Sequence, residues 1–153
     1  MERLAIRDAL PDEVGDLEAL QFRASTVYES DRDHVLANPE VIELPADAAP
    51  DGRVRVAVGE DGVLGFTVVL PVRDGGCELD GLFVEPDLWR RGVGAALVAD
   101  AFDRARSSGA VRMEVIANPN ALAFYQKVGF LITGHVATRF GPGLRMRHNL
   151  TTP

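Results

Sequence analysis

The stretch Glu78-Leu79-Asp80-Gly81-Leu82-Phe83-Val84-Glu85-Pro86, followed after Asp87-Leu88 by Trp89-Arg90-Arg91-Gly92-Val93-Gly94-Ala95-Ala96, decides the fold. The first part reads as a strand that stops at Pro86, because proline cannot donate to a ladder. The second part opens a helix. Gly94, Leu97, Val98, Ala101, Phe102 and Ala105 share one stripe, with Asp100, Asp103, Arg104 and Arg106 largely off it. The first amides of a helix have no carbonyl partner inside it, and the helix dipole adds about half a positive charge there. A glycine-containing strand-to-helix turn is therefore a candidate anion cradle. Its donors are the amides of Arg90, Arg91, Gly92, Val93, Gly94 and Ala95, and the two arginine side chains can add charge-assisted contacts.

Upstream of this core, residues 4–6 read as a first strand. A helix is expected over 11–23, since Pro11 suits a first turn and Val14, Leu17 and Leu20 recur at three-residue spacing. A weaker helix is expected over 31–36, stopped by Asn38-Pro39. Residues 40–52 carry Pro45 and Pro50 and read as a long connection. Val54, Val56 and Val58 alternate as in a strand, Glu60-Asp61-Gly62 turns the chain, and 63–70 returns. Asp74-Gly75-Gly76 turns it again into 77–84, completing an antiparallel meander.

Downstream, Ser107-Ser108-Gly109 ends the helix. The strand over 111–117 returns after a helical crossover and should lie parallel to the strand before the helix. Asn118 and Pro119 suit a helix start and Gly129 a helix end. Residues 130–136 and 144–150 are expected to pair antiparallel, joined by a loop containing Gly141-Pro142-Gly143. The expected fold is mixed α/β: a mostly antiparallel sheet with one central parallel pair and helices on both faces.

The 153 residues suit one domain, 1–153. No apolar run is long enough to cross a bilayer, and no secretory pattern opens the chain, so neither a membrane partner nor export is expected. Cys77 is the only cysteine, which excludes an internal disulfide and suits a cytoplasmic location. His34 and His135 offer no metal spacing, and no metal is expected. The net charge of −7 argues against general nucleic-acid binding. Oligomeric state stays open, a homodimer among the options.

Glu78 and Asp80 fall on one side of their strand, roughly 7 Å apart. Repulsion and partial burial would raise at least one of their pKa values, making a proton acceptor near neutrality. The alternative is an exposed polar face. Tyr125 could donate a proton to a leaving thiolate, or be a packed core tyrosine. Asn118 could bind a ligand, but capping explains it well. Cys77 and His148 read as core residues, and Trp89 as packing under the turn, with adenine stacking the alternative.

Together these segments resemble the GNAT acetyltransferases, which move an acyl group from acyl-coenzyme A to an amine. That family's turn reads Gln/Arg-x-x-Gly-x-Gly/Ala. It is matched from Trp89 through Arg91, Gly92 and Val93 to Gly94, with Trp89 departing at the first position. The second signature, Asn-x-x-Ala with Phe-Tyr and Gly-Phe, is matched by Asn118, Ala121, Phe124, Tyr125, Gly129 and Phe130. The resemblance implies acetyl-CoA as cosubstrate and a primary amine as acceptor; a small molecule is expected, with amino acids, polyamines, aminoglycosides, small drugs and protein N-termini all open. It implies that the main chain of Leu82, Phe83 and Val84 pairs with the pantetheine arm, that the strand splays from its parallel neighbour, and that Glu78 is the base and Tyr125 the acid. A non-catalytic acyl-CoA sensor of the same fold is the alternative. A nicotinamide oxidoreductase is a further one, on Gly92-Val93-Gly94 and Glu114, though Leu97 stands where its third glycine belongs.

Overall fold

Alternating valines build the first strands, and the burial of each face follows from the two-residue period. The computed structural model describes residues 4–38, 53–138 and 141–151. Its strands are β1 (Ala5–Asp8), β2 (Val54–Gly59), β3 (Gly62–Val69), β4 (Gly76–Val84), β5 (Arg112–Ala117), β6 (Leu131–Thr138) and β7 (Gly141–Asn149). The helices are α1 (Val14–Ser25), α2 (Glu29–Ala37), α3 (Val93–Ser107) and α4 (Leu122–Lys127), with single 3-10 turns at Pro11–Glu13, Pro86–Leu88 and Pro119–Ala121. The strands are hydrogen-bonded in the order β1-β2-β3-β4-β5-β7-β6. β4 and β5 pair parallel; the pairs β1–β2, β2–β3, β5–β7 and β6–β7 are antiparallel. The expected element order and sheet type are observed.

The chain forms two compact units, Met1–Val68 with Gly81–Leu97, and Val69–Asp80 with Val98–Pro153. In the first, Leu17 and Leu20 of α1 pack with Val54, Val56, Phe66 and Val68. A second cluster joins Val93 and Leu97 of α3 to Ala57, Leu64 and Val84. Val56 and Ala57 are sequence neighbours on β2, so these clusters sit on opposite sides of the strands. That explains the complete burial of both Val56 and Ala57 on β2. The close approach of α3 needs Gly65. A Cβ there would lie 2.8 Å from the Phe83 carbonyl oxygen and 3.2 Å from Leu97 Cδ1.

In the second unit, Cys77, Leu79, Met113, Val115, Ala117, Leu144 and Met146 are buried on one side of the strands. Phe102 of α3 stacks on His148 with centroids 4.0 Å apart, and Phe130 packs beside both. His148 is half-buried there, with its Nδ1 2.8 Å from the Gly129 carbonyl. The opposite side carries Glu78, Asp80, Arg112, Glu114, Arg145 and Arg147.

Three expectations need correction. The Gly141-Pro142-Gly143 segment is not a loop: β7 begins at Gly141, and Thr138 pairs with Gly141 and Ala137 with Pro142. Proline is tolerated because the β5 ladder reaches β7 only from Leu144 onward, so Pro142 owes no donor on that side. The first strand extends to Asp8, where Arg55 reaches the Asp8 carboxylate at 2.9 Å. The second helix is longer than its periodicity suggested, Glu29–Ala37. The connection expected over 40–52 lies outside the described residues.

Gly65→Ala should destabilise the protein by about 1–3 kcal/mol, the usual cost of overpacking. Gly15→Ala on α1, where a Cβ meets nothing within 4 Å, should be neutral or stabilising by up to ~1 kcal/mol. Urea denaturation of both variants checks the contrast.

Candidate functional site

The strand-to-helix turn is built by the 3-10 turn Pro86–Leu88 and four further residues before α3. Arg90 has φ 67° and Gly92 φ 89°. Gly92 is present for that backbone conformation, not for packing, since a Cβ there would touch nothing within 4 Å. The first bond of α3 runs from the Ala96 amide to the Gly92 carbonyl at 3.0 Å. The amides of Val93, Gly94 and Ala95 precede it and have no acceptor within the helix. No acidic residue occupies the first turn of α3 to answer them. Arg90, Arg91 and Gly92 are exposed. Donors, open space and nearby cations all fit a diphosphate.

Trp89 does what the sequence only partly suggested. It packs against the core beneath the turn, but its indole N–H also donates to the Val84 carbonyl at 2.9 Å. Leu82 and Phe83 are half-buried, and Phe83 lies 5.3 Å from Phe66, ring centre to ring centre. Glu85 is held by Arg23 of α1 through two nitrogens, Nε at 3.2 Å and a terminal nitrogen. The bidentate carboxylate raises the Arg23 pKa. Neither Trp89–Val84 nor Arg23–Glu85 was legible in advance; the second joins residues 62 apart.

In the second unit, the parallel ladder joins Gly76 to Arg112, Cys77 to Met113 and Glu78 to Glu114. It ends there, although β4 and β5 both run on. Glu78 is half-buried and Asp80 exposed on the same side of β4, while Cys77 and Leu79 are buried on the other. Burial is the main reason the Glu78 pKa is raised, and the charges of Asp80 and Glu114 add to it. Arg145 opposes the rise. Glu114 itself lies 3.4 Å from Arg112 and 3.8 Å from Arg147.

Asn118 caps the 3-10 turn before α4, its side chain accepting from the Asn120 amide at 2.9 Å. Ala121 and Phe124 are half-buried. Tyr125 is 8% exposed, packed edge-on against Phe124 and Phe130 with centroids 5.2 and 5.5 Å away. Burial pushes its hydroxyl up to about 12. The group is protonated at neutral pH and can donate a hydrogen bond there. Cys77 is buried, its thiol directed to the Arg112 carbonyl at 3.8 Å and its pKa raised by burial. Among the described residues, no group of three or more His, Cys, Asp or Glu is arranged to hold a metal ion. No helix described is long and apolar enough to cross a membrane.

The peptidyl-lysine N-acetyltransferase YjaB of Salmonella typhimurium is 34% identical over 96 residues, 62% of this chain. The match spans 61% of that relative, less than two thirds of its length. The PaiA N-acetyltransferase of Thermoplasma acidophilum, solved in complex with coenzyme A, superposes with a TM-score of 0.80 at 15% identity, covering 96% of this chain and 99% of that one. YncA of Salmonella typhimurium, solved with its cofactor acetyl-CoA, gives a TM-score of 0.72 at 20% identity, covering 99% and 96%. At such low identities these two likenesses speak for the fold alone. The model of the acetyltransferase (GNAT) family matches residues 15–130, more than half of the sequence. The chain belongs to the GNAT family of acetyltransferases.

Proposed function

We propose that residues 1–153 act as one cytoplasmic acetyltransferase domain, moving an acetyl group from acetyl-CoA to a primary amine by direct transfer. The observation that carries this reading is the start of α3. Three amides without intrahelical acceptors follow a left-handed Gly92, and the first turn of α3 carries no acidic residue to answer them. Arg90 to Ala95 bind the diphosphate. The main chain of Leu82, Phe83 and Val84 pairs with the pantetheine arm, and a strand amide near Val84 steadies the developing oxyanion. The Val84 carbonyl is already held by Trp89, so the amides of this segment carry the greater share.

Glu78 accepts a proton from the ammonium, directly or through a water. Asp80 and Glu114 raise its basicity and lend negative potential that draws a cation toward the strand. Tyr125 then donates a hydrogen bond to the departing sulfur. With its pKa near 12, complete proton transfer to a thiolate of about 8.5 is uphill, so Tyr125 stabilises the sulfur by a hydrogen bond, and the proton given up by the attacking amine reaches the thiolate through solvent. Asn118, Ala121 and Phe124 build the helix start that carries Tyr125. The acceptor is a primary amine. The relative's peptidyl-lysine specificity makes a lysine side chain one candidate beside a small molecule.

A thiol-release assay with acetyl-CoA and a panel of primary amines, including lysine peptides and polyamines, tests the reading. Thiol release matched by acetylated amine is expected. Tight acetyl-CoA binding without release over the panel would mean a sensor. Tyr125→Phe should lower kcat by about 10- to 100-fold while acetyl-CoA affinity, measured by calorimetry, stays within about twofold. Glu78→Gln should cut the rate most at low pH, where the amine is mostly protonated; a pH–rate profile of both forms checks this. The same variant tests linkage. A carboxyl raised in the fold binds its proton better folded than unfolded, so wild type loses stability as pH rises from the ordinary 4.5 through the raised value. Glu78→Gln should match wild type near pH 4 and exceed it at pH 7 in urea denaturation.

A further inference from the structure

Arg90 is a non-glycine residue in the left-handed region, at φ 67°, a conformation that costs energy and persists only when its surroundings enforce it. On its C-terminal side, α3 supplies that enforcement. On its N-terminal side stands Trp89, whose attachments exceed what packing requires. The indole N–H to the Val84 carbonyl closes a loop around the 3-10 turn Pro86–Leu88. The Trp89 amide adds a bond to the Pro86 carbonyl at 3.2 Å. The ring is seated against a cluster including Val84, Val93 and Leu97. Tyr28, in the short corner between α1 and α2, covers it with centroids 6.1 Å apart and planes tilted by 33°. Two residues of α1–α2 thus reach this loop, Tyr28 at Trp89 and Arg23 at Glu85.

We infer that Trp89 is a positioning residue for the acyl-CoA cosubstrate. Its indole hydrogen bond, shielded by Tyr28, fixes the residue before Arg90 and so sets the direction of the amides of Val93, Gly94 and Ala95. The inference rests on the acetyl-CoA reading above. It assigns to an indole anchored on the strand a task that a flexible polar side chain at this position would perform by reaching outward. It also makes the cradle depend on the α1–α2 corner.

Trp89→Phe keeps a ring and removes the donor. Calorimetry should find acetyl-CoA bound about tenfold more weakly, the loss of one hydrogen bond in a half-buried setting. The KM for acetyl-CoA should rise in step, while kcat and the acceptor's KM move less than about threefold. A merely structural role would instead lower kcat in proportion to the folded fraction, with acetyl-CoA affinity of the folded protein unchanged, and would overturn the inference. Tyr28→Ala supplies an independent arm, also should Trp89→Phe fail to fold. Trp89 is the only tryptophan, so its emission reports its own exposure. Tyr28→Ala should move that emission to longer wavelength and weaken acetyl-CoA binding together. Shifted emission with wild-type affinity would overturn the inference. Wild-type protein that fails to bind acetyl-CoA would overturn the parent reading as well, whereas binding unaltered by either variant overturns this inference alone.

Discussion

Leu97 can reach the strands only because residue 65 has no side chain. With Gly65 open, Leu97 Cδ1 settles beside β3, and the Phe83 carbonyl and Val84 backbone come within contact of the same position. That approach fixes where α3 begins, and with it the direction in which its first amides point. An anion site made of main chain inherits its precision from the packing beneath it. The donors proposed for the diphosphate are on Val93, Gly94 and Ala95, but the residues inferred to aim them are Gly65, Leu97 and Trp89. Helix position, turn conformation and ligand chemistry in this unit are thus one problem in packing.

The second unit handles charge by a different route. Cys77, Leu79, Met113, Val115 and Met146 give the strands a buried side, and the two-residue period then forces Glu78, Asp80, Glu114, Arg145 and Arg147 onto the other. Glu114 is answered by two arginines, whereas Glu78 is governed first by burial. Tyr125 follows the same logic from the apolar side, where Phe124 and Phe130 exclude water and keep the phenol protonated.

Local signals carried most of the fold. Valine alternation, the Pro86 stop, the α3 stripe and the Asn118-Pro119 helix start all act over a few residues, and each element appeared near its expected position. The two signature segments, from Trp89 to Gly94 and from Asn118 to Phe130, were legible for the same reason. What the sequence hid was either long-range or degenerate. Gly141-Pro142-Gly143 has loop composition, yet a strand accepts it where one side of the ladder is vacant. Gly65 looks like any strand glycine until Leu97, thirty-two positions later, comes to lie on it. Tyr28 and Arg23 carry no local mark of their partners Trp89 and Glu85. The expected pKa rise could be assigned to the Glu78–Asp80 pair but not to one member, because relative burial is a tertiary property.

Under the proposed transfer from acetyl-CoA, which would release free coenzyme A, Cys77 has a chemical consequence. It is the only sulfhydryl the chain owns, it is buried, and the fold suppresses its ionisation. Nucleophilic attack by sulfur requires the thiolate and an open approach, and Cys77 has neither. Mixed disulfides with the spent carrier, self-acylation by a bound thioester and oxidative linkage between copies are all disfavoured. A chain with this thiol resists covalent capture by the carrier that the proposed transfer would release.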